Sequence, residues 1–351
     1  MTQSTKALLT DFDNCRGQRV QKLSLTNSHG VTLSVLTLGA TLYEINVPDT
    51  EDQPHNLVLN YPHSEDYLAN PFYVCMAIGR TAGRISKGQF SINGRPVTVP
   101  TNEGHNTLHG GPHGFNTVIW DGQFDYSSTT PTIAMHHKFT SQDDGFPGDS
   151  DVTIHYALTD DNRVKISFTG QSDQFTPFNP TVHTYFNLGD QNSIEEHFLQ
   201  INSTQRLVLN SEKLPTGEFE ELANTPYDFE RPTPLKAAIN GLQSIPERGL
   251  DDVYKVEPTR NDQVIATLTD PKTHRSVTLH SARNGLVVFT ANSFTHDNMN
   301  FKRTGGYGTP YLGVALEAQA LPDSMNHPQF GDVMLTPEKP QTHEITYQLS
   351  F

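Results

Sequence analysis

The sequence predicts an all-β protein, a large antiparallel β-sandwich with few short helices. Three observations predict it. Apolar and polar residues alternate over five or more positions in several segments, the period at which a strand turns successive side chains to opposite faces. Turn formers are dense, with 25 Gly and 23 Pro in 351 residues. Charged residues are sparse at 18%, and the Ala/Glu/Lys/Leu periodicity of a coiled coil or helical array is missing.

Taken in order, Val31, Leu33 and Val35 alternate with Thr32 and Ser34. Phe90 and Ile92 run into Asn93-Gly94, a pair that accepts positive φ at both centres of a type I′ turn, and Val97 and Val99 return. Val152, Ile154, Tyr156 and Leu158 predict a hairpin with Val164, Ile166 and Phe168 around Asp160-Asp161-Asn162. Further strands are predicted over 206–209, 264–269, 276–280, 286–291 and 344–350. Short helices are predicted from Ser64 to Asn70 and from Leu235 to Asn240, the second closed by Gly241 as a C-cap. Pro-containing stretches at 175–180, 215–234 and 320–340 read as long surface loops. The chain shows no internal repeat or Gly/Ser linker, so one domain is expected over 1–351, although length alone suggests about two.

Composition excludes several classes. No run approaches the ~18 apolar residues of a membrane-spanning helix. Met1 to Cys15 holds one lysine and the short triplet Ala7-Leu8-Leu9, too little for a secretion signal. Cys15 and Cys75 are then expected as free thiols and the chain as cytoplasmic. With 24 Lys plus Arg against 39 Asp plus Glu, the net charge of −15 repels phosphate backbones and anionic lipid, so neither nucleic acid nor membrane is an expected partner. Nucleotide loops are absent as patterns: no Gly-x-x-x-x-Gly-Lys occurs, and Gly305-Gly306-Tyr307-Gly308 lacks the third spaced glycine. His105, His109 and His113 are four apart, but Gly110-Gly111-Pro112 forbids the helix that would align them and the segment lacks the Glu of a zincin. No metal and no cofactor are expected, a His-bound metal in a cupin-like barrel being the competing reading.

Two strand patterns and two loops carry candidate chemistry. A strand over Asn179–Leu188 would place Thr181, His183, Tyr185 and Asn187 on one face. Pattern alone favours an edge strand wetted by solvent, with a polyhydroxylated ligand as the other solution for four hydrogen-bonding side chains in a row. Gly313, Ala315, Glu317 and Gln319 share a face of the next such strand, where small residues leave room beside a carboxylate. A half-buried ion pair would explain Glu317 equally well. The loop Asn102–Gly111, with Asn106 and His109, is rich in groups that recognise hydroxyls. Gly79-Arg80-Thr81-Ala82-Gly83-Arg84 supplies two guanidinium forks among small residues.

These residues resemble the aldose 1-epimerases, or mutarotases. The resemblance runs through Asn27-Ser-His-Gly30, Gly39-Ala-Thr-Leu42, Val47-Pro-Asp49, Gly79-Arg80 with Arg84-Ile85, and Asn106-Thr-Leu-His-Gly-Gly111. It continues in Thr181-Val-His-Thr-Tyr-Phe-Asn-Leu188, Gly249-Leu-Asp-Asp-Val-Tyr254, Phe289-Thr-Ala-Asn-Ser-Phe294 and Leu316-Glu-Ala-Gln-Ala-Leu-Pro-Asp323. The blocks keep the family's order and cover nearly the whole chain. The resemblance implies a β-sandwich of the galactose mutarotase type, an open cleft and a cofactor-free exchange of the α and β anomers of a free aldose such as galactose or glucose. It implies His183 as general acid, Glu317 as general base, His109 on the ring oxygen or a neighbouring hydroxyl, and Arg84 and Asp251 on substrate oxygens. Asn106, Tyr185 and Gln319 are expected to join them in one cleft with Thr181 and Asn187. Two positions depart from the family pattern: Gly83 stands where many members carry Asn, and Asp252 follows Asp251 where many carry His. The expected partner is a small sugar, and the expected assembly a monomer or homodimer. A non-catalytic sugar-binding module of this fold and a hexose-6-phosphate epimerase are the alternatives.

Overall fold

Ser150–Leu158 and Arg163–Ser172 bury every second side chain and pair antiparallel with Ile154 opposite Phe168. This is the hairpin that the alternation predicts. The structure, a computed structural model, describes residues 5–49, 54–128, 130–297 and 299–351. Strands hold 45% of it and helices 7%, as an all-β reading requires. The sequence reading of Met1 to Cys15 lies partly outside the described residues; Lys6–Cys15 is a strand.

Three large sheets organise the described residues. Five consecutive strands from Lys6–Cys15 to Pro54–Asn56 form a meander. A nine-stranded sheet runs in the order Asp121–Asp125, Thr132–Phe139, Ser150–Leu158, Arg163–Ser172, Gln341–Ser350, Ser276–Ser281, Val264–Thr269, Phe198–Ile201, Thr233–Pro234. A six-stranded sheet runs Tyr185–Phe186, Val314–Gln319, Gly285–Phe289, Asp251–Lys255, Gln205–Leu209, Pro215–Glu221. The six- and nine-stranded sheets meet in one apolar core: the rings of Phe186 and Tyr347 are 5.2 Å apart, and the Thr184 and Tyr347 hydroxyls are 3.0 Å apart. Burial of large apolar side chains at this seam drives the association.

Local expectations are met at Asn93-Gly94, where φ is 50° and 75° between paired strands Gln89–Ile92 and Arg95–Thr98. Cys15 and Cys75 are buried free thiols. Other expectations are corrected. Gly241 is the last residue of the helix Leu235–Gly241 and not its left-handed cap; a Cβ there would stand 2.8 Å from Pro226, so close packing demands the glycine. Of the stretches read as surface loops, 175–180 is almost wholly buried after Phe175, and Pro215–Glu221 is a strand. Pro322 lies inside the molecule as a wall of the site. The rest follows the expectation in part: 223–226, 230–232 and 338–340 are exposed turn and loop.

Candidate functional site

Register in the six-stranded sheet assembles the site. Tyr185 lies opposite Ala315, Ala315 opposite Phe289, and Phe289 opposite Asp251, so these four form one row across the sheet. The next row on the same face joins Glu317, Val287 and Val253. Strand alternation sends Leu316, Val288 and Asp252 to the other face. Asp252 is there held by the Arg206 guanidinium. Both aspartates line the cavity; Asp251 belongs to the row of Tyr185 and Phe289, whereas Asp252 is spent on Arg206.

Above this face lies a cavity of about 350 Å³, lined among others by His109, His183, Tyr185, Asp251, Glu317 and Gln319. The segment predicted as one strand over 179–188 is two short strands, Thr181–Val182 and Tyr185–Phe186. Between them His183 is clamped by its own backbone, its N–H donating to Met76 O and its C=O accepting from Cys75 N, both at 3.0 Å. All of 181–189 is buried, so the solvent-wetted edge is corrected. The imidazole sits between two rings, Tyr185 at 4.9 Å and Tyr73 at 6.2 Å, both near-parallel.

His183 Nε2 is 3.4 Å from Glu317 Oε1. Glu317 is 1% exposed, and burial, reinforced by Asp251 and opposed by Arg84, pushes its carboxyl up to about 8. Burial pulls His183 down to about 3. Burial thus disfavours the charged form of both members of the pair. Glu317 Oε2, His183 Nδ1 and both polar atoms of Gln319 are buried without a partner. So many orphaned groups about one cavity are expensive unless a ligand completes them.

His109, at φ 52°, is fixed from behind: its Nδ1 accepts from Gly83 N–H at 3.2 Å, which leaves Nε2–H as a donor. Burial, then His183 and Arg84, hold its pKa well below the usual range. His109, His183 and Glu317 offer atoms within 4.8 Å of one another, a spacing a cation could use. Metal-bound imidazoles donate their second nitrogen outward, whereas His109 accepts there, and its tautomer serves a hydrogen-bond acceptor instead. His105 and His113 are exposed and do not join it. Gly83 has φ +72°, and a Cβ on it would lie 2.6 Å from Pro322 Cβ. The family's side chain at this position has no room here.

The remaining expectations divide. Arg84 lines the cavity but its fork is spent on Glu103, Nε at 2.5 Å and Nη2 at 2.7 Å. Tyr185 lends its ring face to His183, while its hydroxyl donates to Phe72 O at 3.0 Å. Asn106 does not line the cavity: its Oδ1 accepts from Lys87 N at 2.9 Å and its backbone closes the turn that carries Glu103. Thr181 donates to Ala318 O at 2.9 Å and Asn187 to Leu312 O at 2.7 Å, so both serve the sheet. Arg80 is 1% exposed and bonds Asp144 away from the site. Sequence reasoning missed Tyr73, Phe72 and Lys213, all of which line the cavity; Lys213 bridges Glu247 at 2.7 Å and Asp251 at 3.6 Å. None of the three stands in a pattern that marks it.

Known proteins of similar sequence and fold are numerous. The aldose 1-epimerase family profile matches residues 21–348. The maltose epimerase of Levilactobacillus brevis is 42% identical over 94% of this chain and 95% of its own, and an aldose 1-epimerase of Streptococcus thermophilus is 38% identical over 95% and 94%. The crystal structure of galactose 1-epimerase from Lactobacillus acidophilus NCFM superposes with a TM-score of 0.84 at 25% identity, covering 99% of both chains. A profile that spans the chain, on this fold, identifies an isomerase: the protein belongs to the aldose 1-epimerase family.

Proposed function

We propose that the chain opens and recloses the hemiacetal of a reducing sugar between His183 and Glu317, with His109 and Gln319 holding the sugar. The observation that carries this reading is the 3.4 Å His183–Glu317 contact in a cavity that Gln319 also lines, its amide buried without a partner. In ring opening the C1 hydroxyl gives its proton to one member as the C1–O5 bond breaks, and O5 receives a proton from the other. C1 is then a carbonyl; rotation about C1–C2 presents its other face, and closure runs the same steps in reverse. A hydroxyl donating to Glu317 favours its carboxylate form, and with His183 as the proton donor the pair takes the base and acid roles expected from the family. His109 Nε2–H suits the ring oxygen or a neighbouring hydroxyl. Each well-placed proton transfer supplies about 10²- to 10⁴-fold, enough for anomer exchange by acid and base chemistry alone.

The site favours an uncharged sugar. Both cations at its wall, Arg84 and Lys213, are engaged by carboxylates, which leaves little to hold a phosphate. The L. brevis relative is named for maltose, and we place reducing disaccharides beside galactose and glucose as substrates. The whole chain acts as one catalytic unit in this reading. Polarimetry on freshly dissolved α-glucose, α-galactose and maltose tests it: His183→Asn should cut the catalysed rate at least about 10²-fold with the fold intact by circular dichroism. A near-normal rate would remove His183 from the chemistry, and a sugar-binding module without turnover would be the surviving reading.

A further inference from the structure

In the proposed reaction Gln319 holds the sugar, yet among the described residues no polar group holds its side chain. Gln319 is wholly buried, and neither polar atom of its amide has a partner. Its aim therefore comes from the backbone that carries it. Gln319 is the last residue of the strand Val314–Gln319, and Ala320 beyond it lies outside the sheet.

One side chain meets both polar groups of Ala320. Asn179 Nδ2 donates to Ala320 O at 3.1 Å, and Asn179 Oδ1 accepts from Ala320 N at 2.9 Å. The amide thus stands in for a neighbouring strand at the point where pairing stops. Asn179 is itself fixed from behind: its N–H donates to Arg80 O at 2.8 Å, and its C=O accepts from Ala82 N at 2.7 Å. The end of the Gln319 strand is thereby tied to the segment that carries Gly83, whose N–H holds His109.

Arg283 keeps the amide this way round. Its Nη2 donates to Asn179 Oδ1. With two N–H donors on Oδ1, Nδ2 is left to face Ala320 O, whereas a flipped amide would set donor against donor. Arg283 is 7% exposed, and burial, with no carboxylate beside it among the described residues, pulls its guanidinium down to about 9. It stays charged at neutral pH. A buried cation without an acidic partner is costly, and the bond to Asn179 is the one its side chain makes among the described residues.

We propose that Asn179, locked by Arg283, is the positioning residue of Gln319, an assignment that rests on Gln319 as a sugar contact. Asn179 does not line the cavity and takes no part in proton transfer. Losing its side chain acts on how the sugar is held, hence on KM, and spares kcat.

Polarimetry on glucose and galactose compares wild type, Asn179→Ala, Gln319→Met and the double variant. Asn179→Ala should raise KM about tenfold and change kcat by less than about twofold. Its backbone bonds survive the substitution, so circular dichroism should report an intact fold. The double variant should show the KM of Gln319→Met alone, because a misaimed group and an absent one are equivalent. Multiplied effects, about a hundredfold in KM, would place the action of Asn179 elsewhere and overturn the proposal. So would an unchanged KM in Asn179→Ala. If the orphaned Arg283 unfolds that variant, Asn179→Ala combined with Arg283→Met removes the buried charge and takes its place in the comparison. If Gln319→Met leaves KM unchanged, Gln319 is no sugar contact and that reading falls by itself. The side-chain amide NMR signal of Gln319, identified by its loss in Gln319→Met, then decides the positioning. A shift or broadening in Asn179→Ala supports it, and an unmoved signal refutes it.

Discussion

Glu317→Gln should make this protein more resistant to alkali while removing its activity. The Glu317 carboxyl is 1% exposed and pushed from an ordinary 4.5 up to about 8. A carboxyl whose folded pKa lies above its unfolded value binds its proton more tightly in the folded chain. The corresponding stability is fully present below about pH 4.5, is lost as pH rises, and is gone above about pH 8. At ~1.36 kcal/mol per pH unit, that interval amounts to about 4–5 kcal/mol. Glutamine keeps the shape and the neutral charge at every pH. Urea unfolding of wild type and Glu317→Gln at pH 5.5 and pH 9 should therefore show the variant gaining about 3 kcal/mol relative to wild type between the two. The same protein in polarimetry should lose at least about 10²-fold in catalysed rate. An equal stability difference at both pH values would refute the claim that burial holds this carboxyl protonated.

Two other outcomes are expected. Gln319→Met removes two buried polar atoms that have no partner, so thermal unfolding should show a gain of about 1–2 kcal/mol while KM for sugar rises about tenfold; an unchanged KM would exclude Gln319 from the substrate contacts. Gly83→Ala puts a methyl 2.6 Å from Pro322 at φ +72° and should cost about 2 kcal/mol, read as a fall in Tm of a few degrees, whereas an unchanged Tm would mean that the Pro322 wall gives way freely.

Much of the strand content was legible because its cause is local. Alternation at 152–158 and 164–168 encodes a two-sided strand, and the Asn93-Gly94 turn encodes its own dihedrals. The break at His183 was not legible. Thr181 to Leu188 alternates as a continuous strand would, and the interruption arises because Cys75 and Met76, over a hundred residues away, take the His183 backbone bonds. The candidate site divides along the same line. Glu317 and Gln319 were found because their strand face is otherwise small, and His183 and His109 because their blocks resemble the family. Tyr73 and Lys213 were missed because nothing beside them in the chain marks them.

The sequence by itself determined an all-β chain, the types of proton-transfer and hydroxyl-binding groups, and the family to which they belong. Which of those groups converge was decided by tertiary structure. Register across the six-stranded sheet turns Asp251 to the cavity and hands Asp252 to Arg206, and side-chain bonding draws Asn106, Thr181 and Asn187 into the framework. Burial then moves Glu317 and His183 in opposite directions. The reason is physical: a residue's type and alternation are local properties, whereas its partner and its proton depend on which distant strands lie beside it and how much water they exclude.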